Sequence, residues 1–144
     1  MIEGVEITPL KKISDNRGSV MHMLRNDSKI FKKFGEIYFS ITNSDSIKAW
    51  HMHKDMILNY ACIQGVIKLV LYDDRKSSIS RGKFQELILS TDNYFLVTVP
   101  PLIWNGFKNI SSDKSILANC STVPYRDDEI IRRPHNHPEI PYKW

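Results

Sequence analysis

The chain has 144 residues, 42% hydrophobic and 25% charged, a balance typical of one soluble globular domain and not of a disordered or membrane protein. No apolar run approaches the ~20 residues of a membrane helix, and the mixed, acidic first residues do not resemble a signal peptide. The 20 Lys and Arg are scattered among 16 Asp and Glu, so the net charge of +4 suits a small polyanion such as a diphosphate at least as well as nucleic acid.

Short strands account for most of the sequence pattern. Segments rich in β-branched and aromatic residues, separated by polar turns, predict six strands in chain order: 35–42, 56–64, 66–72, 84–89, 94–99 and 115–122. Gln64-Gly65 predicts the turn of a hairpin. Only the stretches near 28–34 and 127–131 are compatible with a helix, and the proline-punctuated residues 134–144 predict an extended arm over the body. The pattern therefore predicts an all-β antiparallel sandwich or barrel.

The first candidate for chemistry is the histidine pair in His51-Met52-His53. Residues two apart on a strand face the same side, so both imidazoles are expected to point into one interior. This geometry suits a pair of metal ligands or a general base with a helper. Two polar residues near the mouth of a strand remain the purely structural alternative.

The spacing of this pair relative to Gly65, Pro100 and Asn109 resembles the two signature motifs of the cupin family of β-barrels. In metal-binding cupins a glutamate and a third histidine complete the ligand set, and those positions here hold Leu58 and Asn105. A leucine cannot coordinate a metal, and a primary amide is a poor ligand for a transition metal. We therefore predict a cavity with no metal and no cofactor.

Among metal-free cupins, the chain resembles the dTDP-4-dehydrorhamnose 3,5-epimerase family, and in particular its shorter members, from about residue 13 to residue 144. The resemblance is carried by six pieces in the same order and spacing: Asp15-Asn16-Arg17-Gly18, Lys48-Ala49-Trp50-His51, Gly65 with Asp73 to Ser78, Asn93 with Pro100 and Gly106-Phe107, Tyr125 with Glu129, and Trp144. It implies a single cupin domain over 1–144, folded as an antiparallel double-sheet jelly roll. It also implies a homodimer that exchanges N-terminal strands.

The resemblance implies acid–base chemistry beside a ketone. A 4-keto sugar acidifies its C3 and C5 protons because the carbanion is delocalised onto the ketone oxygen. Epimerisation then needs a base on one face, an acid on the other and a donor at the oxyanion. The family's base falls on His51. Its lysine falls on Leu58, its tyrosine on Asn119 and its orienting aspartate near Asn136-His137, so these three groups are absent from the expected places.

Other residues are candidates for the missing roles. Positive charge is available from Lys68 and Lys48, an acid from Tyr38 or Tyr60, and a second proton carrier from His53 or His137. We predict His51, His53 and Lys68 as catalytic residues. Their side chains are expected to converge in one cavity with those of Asn105 and Asn119.

Nucleotide binding is expected from a second set of residues. Arg17, Lys48 and Arg75 match positions that carry positive charge in the family, and guanidinium and ammonium groups pair readily with a diphosphate. Trp104 is a candidate for stacking on a base or a sugar ring. The predicted substrate-binding set is completed by Asn105 and Asn119.

Several functions remain open from the sequence. The first is a 3- and/or 5-epimerase of a nucleotide-linked 4-keto-6-deoxy sugar in cell-surface polysaccharide (O-antigen) synthesis. A 3,4-ketoisomerase using His51 and His53, a catalytically degenerate nucleotide-sugar-binding protein and a metal-dependent cupin are the alternatives, and the ligand count disfavours the last. The expected partner is a nucleotide-diphosphate sugar, with no nucleic acid and no membrane. Cys62 and Cys120 lie far apart without a CxxC, which predicts a reduced, cytoplasmic protein.

Overall fold

Two five-stranded antiparallel sheets face each other in the computed structural model, which describes residues 1–144. The strands are β1 (Glu6–Pro9), β2 (Lys12–Asp15), β3 (Gly18–Met21), β4 (Glu36–Thr42), β5 (Ile47–His53), β6 (Leu58–Gln64), β7 (Val66–Tyr72), β8 (Phe84–Ser90), β9 (Phe95–Val99), β10 (Trp104–Asn109), β11 (Ser115–Ser121) and β12 (Ile130–Arg132). The first sheet has the order β1-β9-β6-β11-β4 and the second β12-β5-β10-β7-β8, while β2 and β3 form a separate hairpin. The predicted all-β antiparallel double-sheet fold is confirmed.

The core lies between the two sheets and is built from alternate residues of their strands. On β7, the side chains of Ile67, Leu69 and Leu71 are fully buried in the main hydrophobic cluster, which also takes in residues of β6, β9 and β11. Val70 alternates with them and belongs to a second cluster on the outer face of the same sheet. Because both faces of β7 are covered, its sequence is almost continuously apolar.

The hairpin predicted at Gln64-Gly65 is wrong. β6 pairs with β9 and β11, whereas β7 pairs with β8 and β10, so these two strands lie in different sheets. Gly65 carries the chain from one sheet to the other with φ +74°, and a Cβ there would lie 2.9 Å from the Cα of Ser115. Glycine fits this crossing because it tolerates both the positive φ and the close approach.

The two stretches that the sequence left open for a helix contain none. Residues 28–34 are irregular with turns, and residues 127–129 form a turn that leads into β12. The strand expected to carry His51 and His53 is β5, whereas β1, β2, β3, β10 and β12 were not among the predicted segments. No helix has the length and hydrophobicity to cross a membrane.

Residues 134–144 form the predicted extended arm, without regular structure, over the outer face of the second sheet. Ring centroids of Tyr142 and Trp144 lie 5.9 Å and 5.1 Å from that of Trp50 on β5. The Trp50 indole Nε1 donates to the backbone oxygen of His135 over 3.1 Å. The arm therefore packs behind the strand that carries the histidine pair, whose imidazoles face the opposite way.

Candidate active site

A cavity of about 390 Å³ opens between the two sheets and gathers polar side chains from both. It is lined by Glu36, Tyr38 and Ser40 of β4, Lys48, His51 and His53 of β5, Tyr60 of β6, Phe107 of β10, Ile130 and Arg132 of β12, and the loop residues Met56 and Tyr125. The strand alternation that the sequence indicated thus brings both histidines to one interior.

His51 is the cavity histidine whose ring is bound to no other side chain. Burial lowers the pKa of His51 to about 4, and the positive charges of Arg132, His53 and Lys48 act in the same direction. The imidazole is therefore neutral at neutral pH and keeps a lone pair available to accept a proton. Binding of a diphosphate beside these cations would raise the pKa again.

His53 is instead held by a buried carboxylate. Its Nδ1 lies 2.7 Å from Oε2 of Glu129, whose other oxygen accepts the backbone N–H groups of Asp55 at 3.0 Å and Met56 at 2.9 Å. Burial raises the pKa of Glu129, but the hydrogen bonds from His53 and the two amides outweigh it and hold the pKa below its usual value. Nδ1 of His53 donates to this carboxylate, and Nε2 is left as the free ring nitrogen.

Two cations line the cavity without a carboxylate at ion-pair distance, Lys48 and Arg132. The Lys48 ammonium donates to Oγ of Ser40 and to the backbone oxygen of Ile41, both at 2.8 Å, and burial lowers its pKa. Arg132 lies opposite His51 in the pairing of β12 with β5. Unpaired positive charge in a cleft favours an anionic ligand.

Asn105 and Asn119 are fully buried behind the residues that line the cavity. Asn105 accepts from the Tyr60 hydroxyl at 3.1 Å and donates to the backbone oxygen of His51 at 3.0 Å. Asn119 accepts the backbone N–H of Asn59 at 2.9 Å through Oδ1. Neither side chain lines the cavity itself, so their predicted contact with substrate stays a prediction, and the hydrogen bond from Tyr60 to Asn105 connects the two sheets.

The prediction that Lys68 points into this cavity is wrong. Lys68 alternates with the inward-facing Ile67 and Leu69, so its side chain lies on the outer face of the second sheet. Its Nζ lies 5.4 Å from the ring centroid of Tyr142 and 5.7 Å from that of Trp144.

The remaining predicted binding residues also lie outside the cavity within one chain. Arg75 and Trp104 line a separate outer cleft, with His137, and Arg75 is bound to the buried Asp73 at 2.8 Å. Arg17 lies in the turn between β2 and β3, highly exposed and paired with Asp15 at 2.7 Å. Of the cations expected to bind the diphosphate, only Lys48 reaches the cavity of its own chain.

Sequence reasoning missed Arg132 and the partnership of Glu129 with His53. The signal was slight, since Glu129 belongs to one of the six matching pieces and Arg132 follows three residues later. β12 has only three residues, which is too short to be recognised as a strand from its pattern.

A family model described as dTDP-4-dehydrorhamnose 3,5-epimerase matches residues 1–144. The chain belongs to this family. The crystal structure of a dTDP sugar isomerase from Desulfovibrio desulfuricans superposes with a TM-score of 0.97 at 40% identity, covering 99% of this chain and 92% of the other. A probable low-salt glycan biosynthesis epimerase of Haloferax volcanii is 31% identical over 147 residues, covering 99% of this chain and 94% of that protein.

A third relative broadens the chemistry of the group. The TDP-4-oxo-6-deoxy-alpha-D-glucose-3,4-oxoisomerase of Aneurinibacillus thermoaerophilus is 25% identical over 131 residues, covering 91% of this chain and 88% of that protein. The resemblance inferred from the sequence is confirmed, and the chain is an isomerase of the sugar-epimerase type. No three His, Cys, Asp or Glu side chains come together as a potential metal site. That the cavity holds no metal remains a prediction, which a metal analysis of the purified protein tests.

Proposed function

We propose that the protein is a nucleotide-sugar epimerase that inverts C3, C5 or both in a nucleotide-linked 4-keto-6-deoxy sugar, with His51 as the base. The observation that carries this proposal is the neutral, uncommitted imidazole of His51 beside two cations that lack carboxylate partners. Family membership supports the substrate class. A base beside anion-binding groups is the arrangement that proton abstraction next to a ketone requires.

In this proposal the two cations, Arg132 and Lys48, have different roles. Arg132 binds the diphosphate through its fork of N–H donors. Lys48 faces the C4 oxygen and stabilises the negative charge that develops there when His51 removes the neighbouring proton. Glu129 holds the second imidazole, that of His53, in one orientation against the sugar.

The test is incorporation of deuterium from solvent at C3 and C5 of a dTDP-linked 4-keto-6-deoxyglucose, followed by NMR. His51→Asn is expected to slow exchange by ~10²–10⁴-fold, the usual contribution of a general base. His135→Asn, on the exposed arm, is the matched histidine control and should exchange like the wild type. Equal exchange in the wild type and His51→Asn would reject the base assignment.

A second candidate function is 3,4-ketoisomerisation. It is favoured by the two imidazoles on one wall of the cavity, which suit removal of a proton at C3 and its return at C4, and by the oxoisomerase among the relatives. The same NMR experiment separates the two functions, because a ketoisomerase yields a 3-keto sugar and an epimerase keeps the ketone at C4.

We also propose that residues 1–144 act as one cupin domain that pairs as a homodimer. The separate β2–β3 hairpin exposes Ile13 and Val20, and the edge strand β4 exposes Ile37, Phe39 and Ile41 on its outer face. A two-stranded hairpin is marginally stable by itself, so packing against a second copy would stabilise it and would carry Arg17 toward the partner's cavity. Light scattering after gel filtration should give a dimer for the wild type and a monomer for Phe39→Asp.

We place this activity in the cytoplasm, in the synthesis of a cell-surface polysaccharide such as O-antigen. The glycan epimerase among the relatives supports the pathway, and the free thiols of Cys62 and Cys120 suit a reducing compartment. The proposed partner is the nucleotide-diphosphate sugar, without nucleic acid or membrane. Deletion of the gene should remove one deoxy sugar from the surface glycan, as measured by monosaccharide analysis.

A further inference from the structure

Three polar side chains stand in a row on the cavity wall opposite the histidines. In the first sheet Asn119 of β11 lies directly opposite Tyr38 of β4 on one side and Tyr60 of β6 on the other. Directly opposed residues of an antiparallel pair have Cβ atoms about 4.5–5.5 Å apart, so the three are immediate neighbours. His51 belongs to the second sheet, and a sugar ring in the cavity would lie between it and this row.

The two tyrosines differ in what their hydroxyls bind. The Tyr60 ring is buried and its hydroxyl donates to Oδ1 of Asn105 at 3.1 Å. Tyr38 is 39% exposed, lines the cavity and donates to no protein acceptor. Burial raises the pKa of the Tyr38 hydroxyl, against the opposing effect of Asn119 and Tyr60, so this phenol is protonated at neutral pH. Of the two, Tyr38 is the one free to give a proton to a ligand.

Asn119 supplies an independent observation. The residue is completely buried, and its Nδ2 has no hydrogen-bond partner. The amide cannot be reversed without loss, because Oδ1 already accepts the backbone N–H of Asn59. A buried donor without an acceptor is costly, so a strong acceptor formed beside Nδ2 would be stabilised by it. The oxygen of Tyr38, once deprotonated, is such an acceptor.

We propose that Tyr38 is the acid that protonates the sugar from the face opposite His51, and that Asn119 Nδ2 donates a hydrogen bond to the resulting phenolate. This role rests on the epimerase function proposed above. Asn119 is a positioning residue here, and Tyr38 is the catalytic one. Tyr38 therefore supplies the general acid from β4, one strand away from Asn119, the position at which the family tyrosine was expected.

The proton balance of the step is complete. A ring nitrogen of His51 takes the proton from C3 or C5, and the electron pair of that C–H bond moves into the enolate, leaving negative charge on the C4 oxygen. The Tyr38 hydroxyl then gives its proton to the same carbon from the other face. The enolate electrons form the new C–H bond and the C4 carbonyl returns. His51 is left as imidazolium and Tyr38 as phenolate, and proton exchange with solvent resets both.

The decisive experiment separates proton removal from inversion in Tyr38→Phe. With a dTDP-linked 4-keto-6-deoxyglucose in deuterium oxide, we expect Tyr38→Phe to keep deuterium exchange within about tenfold of the wild type. Inversion should fall by ~10²–10⁴-fold, so that deuterium enters with retention. Tyr72→Phe is the matched control, because its ring stacks on Phe84 on the outer face. Inversion at the wild-type rate in Tyr38→Phe would overturn the proposal.

Each remaining outcome of the experiment also has a definite meaning. Loss of inversion in Tyr125→Phe with full inversion in Tyr38→Phe would assign the acid to Tyr125, the other exposed tyrosine of the cavity. Absence of exchange in the wild type would reject the epimerase function, and the role of Tyr38 with it. Asn119→Asp keeps the Oδ1 acceptor and removes the Nδ2 donor. It should move the alkaline limb of the kcat/KM profile to higher pH, whereas a purely structural role would leave the limb in place.

Discussion

The burial of His51 predicts a measurable loss of stability in mild acid. Its pKa is about 4 in the folded chain and 6.5 when unfolded, so the unfolded chain binds the proton more tightly. The free energy of unfolding is therefore fully retained above pH 6.5 and declines as the pH falls from 6.5 toward 4. Below pH 4 this contribution is lost and the curve flattens.

The size of the effect follows from the two pKa values. At pH 5 the proton-linked difference between folded and unfolded chains is about 2 kcal/mol, and at pH 7.5 it is near zero. Urea unfolding at both pH values, at one protein concentration, measures it as the change in unfolding free energy. The matched variant is His51→Asn, which lacks the titrating group while the other ionisable residues remain.

We expect the wild type to lose about 2 kcal/mol more than His51→Asn between pH 7.5 and pH 5. The comparison removes the contributions of the remaining histidines and carboxylates, because both proteins contain them. Equal losses in the two proteins would refute the argument, since they would mean that His51 is as easily protonated in the folded cavity as in water.

Three further predictions follow from the same structure. Glu129→Gln weakens the anchor of His53 and should lower the unfolding free energy by about 1–3 kcal/mol, measured by urea titration. Trp144→Ala removes a ring packed on Trp50 and should cost about 2–4 kcal/mol, seen as a lower Tm in calorimetry. Tag-free protein dialysed against a chelator should contain far less than one equivalent of zinc, iron or nickel by mass spectrometry, and a stoichiometric metal would contradict this.

The longer strands were predictable because their residues favour β-structure, but the sequence did not show which strands pair with each other. The run from Met56 to Tyr72 shows β-branched and aromatic residues with a glycine at Gly65, which is enough to place two strands. Whether such strands lie beside each other or in facing sheets depends on contacts with β9, β10 and β11, far away in the sequence. Because the run is almost continuously apolar, the sequence does not show which side chains face the core. Lys68 was therefore wrongly expected to face the cavity.

The candidate site was predictable where spacing alone decides the geometry. His51 and His53 share a face because they are two apart on one strand. The pairing of Glu129 with His53, and the row formed by Tyr38, Asn119 and Tyr60, depend on strand register across the sheet. Register is set by the packed core and not by local sequence, so neither arrangement could be read from the residues alone.

The order of strands in the first sheet has a consequence for how the molecule is made. Tyr38 is synthesised early, yet its neighbour Asn119 on β11 follows only after most of the chain, and β1 likewise waits for β9. Such non-local pairing makes folding slow relative to helical proteins of this size. During synthesis on the ribosome β4 has no partner strand until residues 115–121 emerge, whereas β5 and β10 of the facing wall are already complete by residue 109. A nascent chain stalled before that point would lack the wall formed by Tyr38, Asn119 and Tyr60 and would expose an aggregation-prone strand edge to the chaperones that bind unfolded chains.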